Sequence, residues 1–315
     1  MTLPKLLENR LALPLIGAPM FIVSQPALVI AQCRAGMVGA FPSLNARPSG
    51  MLESWLRQLD EALTDADAPY AVNLIVHRTN ARLDEDLALC VKYRVPIVIT
   101  SLGAQERVNE AVHGYGGIVL HDVINNGFAR KAIAKGADGL IAVAAGAGGH
   151  AGTLSPFALV EEIRAWFDGP LALSGAIATG RSLAAARMMG ADLGYMGSPF
   201  IATQEAHADP AYKRMIVESG ADDIVYSDAF TGVKGNYLRP SIVAAGLDPD
   251  NLPDPAATDA TALTAQGAKA WRDIWGAGQG IGAIRAVQPA AAFIAGLKAD
   301  YQAAIAAFDN SLTKQ

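Results

Sequence analysis

Residues 136–152, GADGLIAVAAGAGGHAG, join a short apolar run to a turn of small residues that carries one histidine, His150. The run Gly139–Ala144 has the length and composition of a buried β-strand. Gly146 and Gly148 let the following backbone turn tightly and approach a flat ligand without a clash from Cβ atoms. A histidine held there is a natural acid–base group, because its pKa lies near neutrality. The stretch predicts a strand followed by a ligand-binding turn, and a purely structural turn is the alternative.

Seven further apolar runs accompany this one in the first two thirds of the chain. The predicted strands are Leu13–Ala18, Val38–Phe41, Tyr70–Val76, Ile97–Ser101, Gly117–Asp122, Gly139–Ala144, Leu171–Ser174 and Leu193–Gly197. Segments between them read as amphipathic helices, as in Ser49–Leu63 and Ala81–Arg94. Apolar strands that alternate with helices are typical of a parallel sheet covered on both faces. Eight of them predict an α/β fold of the (β/α)8 TIM-barrel type, with a doubly wound open sheet as the competitor.

The alternation of strands and helices stops after the eighth strand. Beyond it lie a proline- and aspartate-rich loop pattern, Asp248–Asp259, and a helical pattern, Ala262–Trp275. An alanine-rich helix then closes the chain. We therefore expect a barrel of residues 1–219 with a C-terminal helix at 283–315, and a smaller, mainly helical lid insertion of residues 220–282.

The net charge and the cysteines limit which ligands, metals and cellular locations the sequence is compatible with. The formal net charge is −5, so the chain has no basic footprint for nucleic acid or an anionic membrane surface. Cys33 and Cys90 lie in separate apolar helical patterns, and their spacing suggests neither zinc nor a disulfide framework. We expect no metal site and a reducing, cytoplasmic location. The apolar run Leu11–Val23 is interrupted by prolines and reads as a buried strand rather than a signal peptide.

Two glycine-rich turns follow the seventh and eighth predicted strands. One strand ends in Leu171–Ala176 (LALSGA) and the next in Leu193–Ser198 (LGYMGS), ahead of Pro199, which suits the first turn of a helix. Exposed backbone N–H groups at such turns bind anions, and TIM barrels often hold a phosphate in the loops after strands seven and eight. The pair predicts a phosphate site, whereas close helix–strand packing is the structural alternative.

Side chains at other strand ends are candidates for contact with a heterocycle joined to that phosphate. Asn73 would offer a donor and an acceptor to a ring edge, Met20 would cover an apolar ring face, and His121 would face the same mouth. Each also has an ordinary structural explanation as a turn or core residue. A phosphate site beside an apolar mouth suits FMN or a phosphorylated metabolite.

Six short motifs occur in a characteristic order along the chain. They are Ala18-Pro19-Met20, Ala71-Val72-Asn73-Leu74, Ala147-Gly148-Gly149-His150-Ala151-Gly152, Ser174-Gly175-Ala176-Ile177, Tyr195-Met196-Gly197-Ser198 and Phe200-Ile201-Ala202-Thr203-Gln204-Glu205. Over about residues 13–207 the set resembles the nitronate monooxygenase family, also called 2-nitropropane dioxygenases, and Gly276–Gly282 resembles a family stretch near the C-terminus. The resemblance implies a (β/α)8 barrel with a lid, one non-covalent FMN, and oxidation of alkyl nitronates by O2 to a carbonyl compound and nitrite.

The resemblance also assigns roles to residues of this chain. His150 matches the family histidine taken to be the base near the flavin, and no metal ligand is implied. Gly175-Ala176 takes the place of a Gly-Gly pair, and Ser198 that of a threonine. The residues expected to bind the cofactor are Ala18, Pro19, Met20, Asn73, His121, Gly148, Gly149, Ser174, Gly175, Ala176, Tyr195, Met196, Gly197 and Ser198.

The chain departs from the family pattern at two places. Val143–Gly146 replaces a Gln-Gly-x-Glu run, which removes a polar flavin contact and an acid beside the histidine. Asp122 stands where some relatives carry a lysine. An NAD(P)H-dependent flavin reductase of the quinone or enoyl-thioester type is therefore kept as an alternative. A barrel that binds a phosphorylated ligand without redox chemistry is a second one.

Substrate contacts are expected from the lid. The candidates are Tyr226, Lys234, Tyr237 and Arg239, and solvated loop residues are the alternative reading. The expected partners are a small nitronate-like anion and O2. We expect a monomer or a homodimer.

Overall fold

Eight parallel strands form a closed barrel in the computed structural model, which describes residues 3–48, 50–252 and 270–312. The barrel strands are β1 (Leu15–Gly17), β2 (Gly39–Pro42), β3 (Tyr70–Ile75), β4 (Ile97–Ser101), β5 (Ile118–Val123), β6 (Gly139–Val143), β8 (Leu171–Ser174) and β9 (Leu193–Met196). A two-residue strand, β7 (Gly149–His150), lies outside the barrel. The order around the barrel is β1-β9-β8-β6-β5-β4-β3-β2, and pairing of Ile16 with Val38 closes the ring. The predicted TIM barrel and its eight strands are confirmed.

Helices connect the strands and cover the outside of the barrel. They are α1 (Pro26–Arg34), α2 (Met51–Ala62), α3 (Leu83–Lys92), α4 (Glu106–His113), α5 (Asn126–Ala134), α6 (Pro156–Arg164), α7 (Gly180–Met188), α8 (Ser198–Ile201), α9 (Pro210–Glu218), α10 (Arg239–Ala244) and α11 (Ala290–Leu312). The amphipathic pattern explains α2, which buries Leu52, Leu56 and Leu59. Ser49, the predicted start of that helix, lies outside the described residues.

Alternate residues of each strand point into the barrel and build a separate inner core. Ile16, Ala71, Ile99 and Ile141 belong to this core, together with Leu7 from the segment before the first strand. The intervening strand residues face the helices and form the outer core. Because the inner core fills the barrel, a ligand has room only at the carboxyl ends of the strands.

The described part of residues 220–282 contains, beside the helix α10, a small sheet that the sequence analysis did not predict. This three-stranded antiparallel sheet consists of β10 (Ile224–Ser227), β11 (Gly235–Leu238) and β7. Glycine at position 235 allows the close pairing, because a Cβ atom there would lie 2.8 Å from the carbonyl oxygen of Gly149.

Two predicted segments of the lid fall largely on residues that the structure does not describe. The loop pattern Asp248–Asp259 is described only to residue 252. The helical pattern Ala262–Trp275 is described only from Ala270, where the chain forms a turn closed by the pairing of Ala270 with Ile274. Among the described residues, none of the helices has the length and apolarity needed to cross a bilayer.

Candidate functional site

A cavity of about 1240 Å³ opens at the carboxyl ends of the barrel strands, beneath the lid. The predicted site residues that line it are Ala18, Pro19, Met20, Asn73, His121, Gly148, Gly149, His150, Ser174, Gly175, Ala176, Tyr195, Gly197 and Ser198. Met196 is the one predicted site residue that does not line the cavity. Its side chain is buried in the outer core, because successive strand residues point to opposite faces and Tyr195 takes the inward position.

The turns after β6, β8 and β9 meet the segment 276–280 and form what we call the glycine cradle (residues 146–149, 174–176, 197–198 and 276–280). Gly146 accepts hydrogen bonds through its carbonyl oxygen from the N–H groups of Ala176 (3.2 Å) and Gln279 (2.9 Å). A Cβ atom on Gly148 would lie 2.8 Å from the nitrogen of Gly278. Small residues therefore bring four backbone segments together at one wall of the cavity.

The glycine cradle fits a phosphate group. Ser198 Oγ accepts a hydrogen bond from the N–H of Gly278 at 2.8 Å, which leaves its hydroxyl hydrogen available to an anion. Gly175 has φ +151°, and a Cβ atom there would lie 2.9 Å from the carbonyl oxygen of Ala145. No carboxylate lines this wall within the described ranges. This wall of the cavity therefore offers a phosphate group close backbone contact and the Ser198 hydroxyl, and it carries no negative charge that would repel the phosphate.

Ala176 occupies a left-handed conformation, with φ +53°, where the family pattern has glycine. This conformation costs an L-residue roughly 1–2 kcal/mol, whereas a glycine loses about 0.4–1 kcal/mol through the entropy of the unfolded chain. We expect Ala176→Gly to raise the free energy of unfolding by about 0.5 kcal/mol and to leave ligand binding intact. Denaturant unfolding measures this change; a loss of stability would contradict the strain argument.

Five polar side chains form the floor of the cavity. Each follows an inner-core residue of its strand by two positions, so all of them point inward. They are Asn73, Ser101, Asp122, Ser174 and Tyr195. Ser101 was missed by the sequence analysis, although it ends β4 as Ser174 ends β8.

A hydrogen-bonded chain links three of these floor residues. Asn73 Nδ2 donates to the carbonyl oxygen of Ile99 (3.1 Å) and to Ser101 Oγ (2.8 Å). Ser101 Oγ in turn donates to Asp122 Oδ2 at 2.5 Å. Both amide hydrogens of Asn73 are used, so its oxygen is the atom left for a ligand. It would accept a hydrogen bond from a ring N–H, as a flavin offers.

Asp122 and His121 are neighbours in sequence but differ in environment. Burial raises the pKa of Asp122 to about 6, although the Ser101 hydroxyl opposes the shift. His121 points to the other face of β5, where its Nδ1 lies 2.6 Å from Thr100 Oγ1. Burial, assisted by the charge of Lys135, lowers the pKa of His121 to about 4. His121 is therefore neutral at physiological pH, whereas Asp122 titrates close to it.

His150 lies on β7, where the lid strand β11 pairs with it through Gly235. Its Nε2 is 3.0 Å from Thr231 Oγ1, and Thr231 Oγ1 donates its hydrogen to the carbonyl oxygen of Val233 at 3.0 Å. Nε2 must then carry the proton in this contact, which leaves a lone pair on Nδ1. Burial lowers the pKa of His150. The histidine is thus held neutral, with one basic nitrogen.

Two neighbours of His150 were missed by the sequence analysis. Thr231 is 81 positions away along the chain. Trp271 lines the cavity and meets the imidazole edge-to-face, with the ring centroids 5.4 Å apart. Neither residue belongs to a motif, so no local signal pointed to it.

The four lid candidates divide into two pairs. Tyr226 and Lys234 line the cavity. Tyr237 is a buried residue of β11 whose ring packs on Phe230, and Arg239 forms an ion pair with Asp250 at 2.9 Å. Only the first pair is placed to meet a ligand.

Thr231 is a positioning residue for His150, and replacing it has a specific expected result. Thr231→Val removes the partner of Nε2, so the two neutral tautomers mix and the basic nitrogen is no longer fixed. We expect about a 5- to 10-fold loss of base-dependent activity, with an altered pH profile, and recovery in Thr231→Ser. The pH dependence of kcat/KM measures it; an unchanged profile would contradict the positioning role.

The closed barrel, the large cavity at the carboxyl ends of its strands and the histidine at the lid define a (β/α)8-barrel enzyme. A model of the nitronate monooxygenase family matches residues 78–300, which is more than half of the chain. The chain belongs to the nitronate monooxygenase family and is a flavin-dependent oxidoreductase.

Individual relatives and a solved structure are similar to this chain over most of its length. A nitronate monooxygenase of Paraburkholderia phytofirmans is 27% identical over 347 aligned positions, covering 93% of both chains. A (3aS,4S,5R,7aS)-5-hydroxy-7a-methyl-1-oxo-octahydro-1H-indene-4-carboxyl-CoA dehydrogenase of Mycobacterium tuberculosis is 25% identical, covering 73% of this chain and 64% of the relative. FabK from Thermotoga maritima has a similar structure, with a TM-score of 0.83, 26% identity and 97% coverage of both chains.

Proposed function

We propose that this protein binds one non-covalent FMN and uses O2 to oxidise alkyl nitronates, giving a carbonyl compound and nitrite. The observation that carries the proposal is His150, which lines the same cavity as the glycine cradle and whose Nε2 is bonded to Thr231, so that Nδ1 is the nitrogen left to take a proton. Family membership supports nitronates as the substrate class.

Each part of the cavity has its own proposed role in binding or in proton transfer. The glycine cradle and Ser198 would hold the phosphate, and Asn73 would accept a hydrogen bond from the ring edge. Bound FMN supplies the electron-accepting chemistry and the reaction with O2, while the protein supplies orientation and electrostatics. His150 Nδ1 would take the α-proton of a neutral nitroalkane. For a nitronate already formed no proton needs to move, and Lys234 on the lid would attract the anion.

The proposed partners and setting follow from the same features. The ligands are a small nitronate-like anion and O2. Cys33 and Cys90 are both free and buried, which supports the reducing cytoplasm as the location. We propose a monomer or homodimer.

A second candidate is an NAD(P)H-dependent flavin reductase acting on a quinone or an enoyl thioester. Cavity size favours it: 1240 Å³ exceeds the roughly 300–1,000 Å³ typical of a site for one drug-sized ligand. The M. tuberculosis relative, by its name, acts on a coenzyme A ester.

Anaerobic reduction of the bound flavin separates the two candidates. The purified protein should be yellow, and propyl-2-nitronate should bleach the flavin rapidly while NADH and NADPH do not. Nitrite should appear when air is admitted. Rapid bleaching by a reduced nicotinamide, with none by the nitronate, would overturn the proposed oxidation and favour the reductase. A colourless protein that also fails to bind added FMN would exclude both.

A further inference from the structure

The cavity has a second region on the far side of the barrel from the glycine cradle. The cradle follows β6, β8 and β9, whereas the loops after β2 and β4 lie across the barrel in the strand order, and the helix α5 follows β5, which pairs with β4. We call this region the outer chamber; Arg47, Leu102, Phe128, Lys131 and Lys135 line it, and Lys234 lines the same cavity from the lid. A flavin seated on the cradle would leave the outer chamber to another ligand.

Apolar side chains at the cavity are unusually exposed. Six large apolar residues that line it are between 37% and 49% exposed, and they are Phe21, Leu102, Ile124, Phe128, Tyr226 and Val233. Apolar side chains gathered at one concave surface mark a binding site, because each gains free energy when a ligand displaces the water next to it. Two of the six, Leu102 and Phe128, belong to the outer chamber and the others line the cavity around it, so the chamber suits a ligand with an apolar body.

The charges of the outer chamber have the opposite sign to the chain as a whole. Four cations line the cavity, Arg47, Lys131, Lys135 and Lys234, against one carboxylate, Asp122, on the cavity floor. Across residues 3–48, 50–252 and 270–312, the ion pairs use other arginines and lysines, and none joins these four to a carboxylate. Four uncompensated cations on a chain of net charge −5 favour a polyanion.

The cations are held beside the apolar surface rather than apart from it. Arg47 lies over the ring of Phe21 at 5.7 Å, Lys131 over Phe128 at 6.0 Å, and Lys234 over Tyr226 at 5.9 Å.

Lys131 lies in the last turn of α5 and Lys135 directly follows that helix, so the two are one turn apart and share a face. Lys135 Nζ also donates to the carbonyl oxygen of Ala104 at 2.8 Å, which holds it over the loop after β4. The outer chamber thus presents a pair of adjacent lysines above an apolar wall.

We propose that the outer chamber binds an acyl-coenzyme A thioester, with the acyl and pantetheine parts against the apolar wall and the phosphates on Lys131 and Lys135. A free fatty acid would use only one of the four cations, and a nicotinamide dinucleotide would leave the apolar wall uncovered. The inference rests on the proposed function in one respect, namely that FMN occupies the glycine cradle.

Calorimetric titration of the FMN-loaded protein with hexanoyl-CoA tests the proposal. The comparison ligands are the N-acetylcysteamine thioester of hexanoate, which has the same acyl group without phosphates, and NADPH. We expect hexanoyl-CoA to bind about 10- to 100-fold more tightly than the phosphate-free thioester. This advantage should shrink in about 1 M salt, where the Debye length is about 3 Å.

Charge-neutral variants locate the site. Lys131→Gln with Lys135→Gln should remove most of the advantage of the phosphates, and folding should be preserved because both lysines are exposed. The matched control is Lys5→Gln with Lys298→Gln, two exposed lysines outside the cavity, which should bind hexanoyl-CoA as the wild type does.

Three results would overturn the proposal: equal affinity for the two thioesters, unchanged binding in the Lys131 and Lys135 variant, or tighter and competitive binding of NADPH. The same titration on protein freed of flavin keeps the two proposals distinguishable. If the protein binds FMN and oxidises nitronates but does not bind hexanoyl-CoA, only this inference is refuted. If it binds hexanoyl-CoA but no FMN, the proposed oxidation is refuted instead.

Discussion

Replacing His150 with asparagine should lower turnover of neutral nitroalkanes by about 10²- to 10⁴-fold, the usual contribution of a positioned general base. Asparagine preserves a polar side chain of similar size but has no nitrogen that accepts a proton. FMN content should be unchanged, because the cradle would hold the phosphate through backbone groups and Ser198, which the substitution leaves in place, and Asn73 lies on β3. Turnover of a preformed nitronate should fall much less, since its α-proton has already gone.

The pH dependence of the wild type follows from the state of His150. Burial lowers its pKa below the ordinary value of 6.5, so the basic form persists into mildly acidic solution. We expect kcat/KM for a neutral nitroalkane to be constant at neutral pH and to decline only as pH falls through that lowered pKa. The decline should be missing in His150→Asn.

The control substitution is His207→Asn, at an exposed histidine outside the cavity. It should leave turnover of both substrates at the wild-type rate. Steady-state nitrite release measures all of these rates. Equal losses for the nitroalkane and the nitronate in His150→Asn, or no loss at all, would refute the role as base.

Replacing Asp122 with asparagine should stabilise the protein at neutral pH. Its pKa is raised from 3.8 to about 6, so the folded protein holds this proton more tightly than the unfolded chain does. The favourable contribution is complete below about pH 3.8 and is lost as pH rises through about 6. Above that pH, keeping the buried carboxylate ionised costs up to about 3 kcal/mol. The neutral amide of Asp122→Asn would avoid this cost, and its oxygen would still accept the hydrogen bond from Ser101.

Denaturant unfolding at pH 4.5 and pH 7.5 measures the Asp122 effect, with the pH values chosen on either side of the raised pKa. The gain in free energy of unfolding should reach up to about 3 kcal/mol at the higher pH and be much smaller at the lower one. Asp65→Asn, at an exposed carboxylate, should show no such dependence. A gain that is equal at both pH values would contradict burial as the cause.

Asp122 also bears on the cofactor. Where the family resemblance implies a lysine in some relatives, which could serve the flavin phosphate, this chain has an acid whose pKa burial raises to about 6. The cavity floor around it is otherwise made of neutral groups, Asn73, Ser101, Ser174 and Tyr195. The presence of Asp122 in place of a lysine therefore changes the charge of the cavity floor.

Much of the barrel was predictable because its signals are local. The run Ile97–Ser101 forms a strand with the predicted bounds, and so does Leu171–Ser174, since buried parallel strands are continuous apolar runs. The glycine-rich turns could also be predicted from the sequence, because tight turns require particular residues. The inward direction of the Tyr195 side chain, and the outward direction of Met196, also follow from strand alternation.

The stretch 136–152 by itself determined a strand, a glycine turn and a histidine at the barrel mouth. What the histidine does was decided only in the tertiary structure, where β11 pairs with β7 and brings Thr231 to Nε2. Likewise, the importance of Lys131 and Lys135 became visible only in the folded chain, which sets Lys131 over Phe128 and Lys135 over the loop after β4. The physical reason is that periodicity and turn chemistry act over a few residues, whereas the protonation of His150 and the charge of a cavity depend on side chains that only the folded chain brings together.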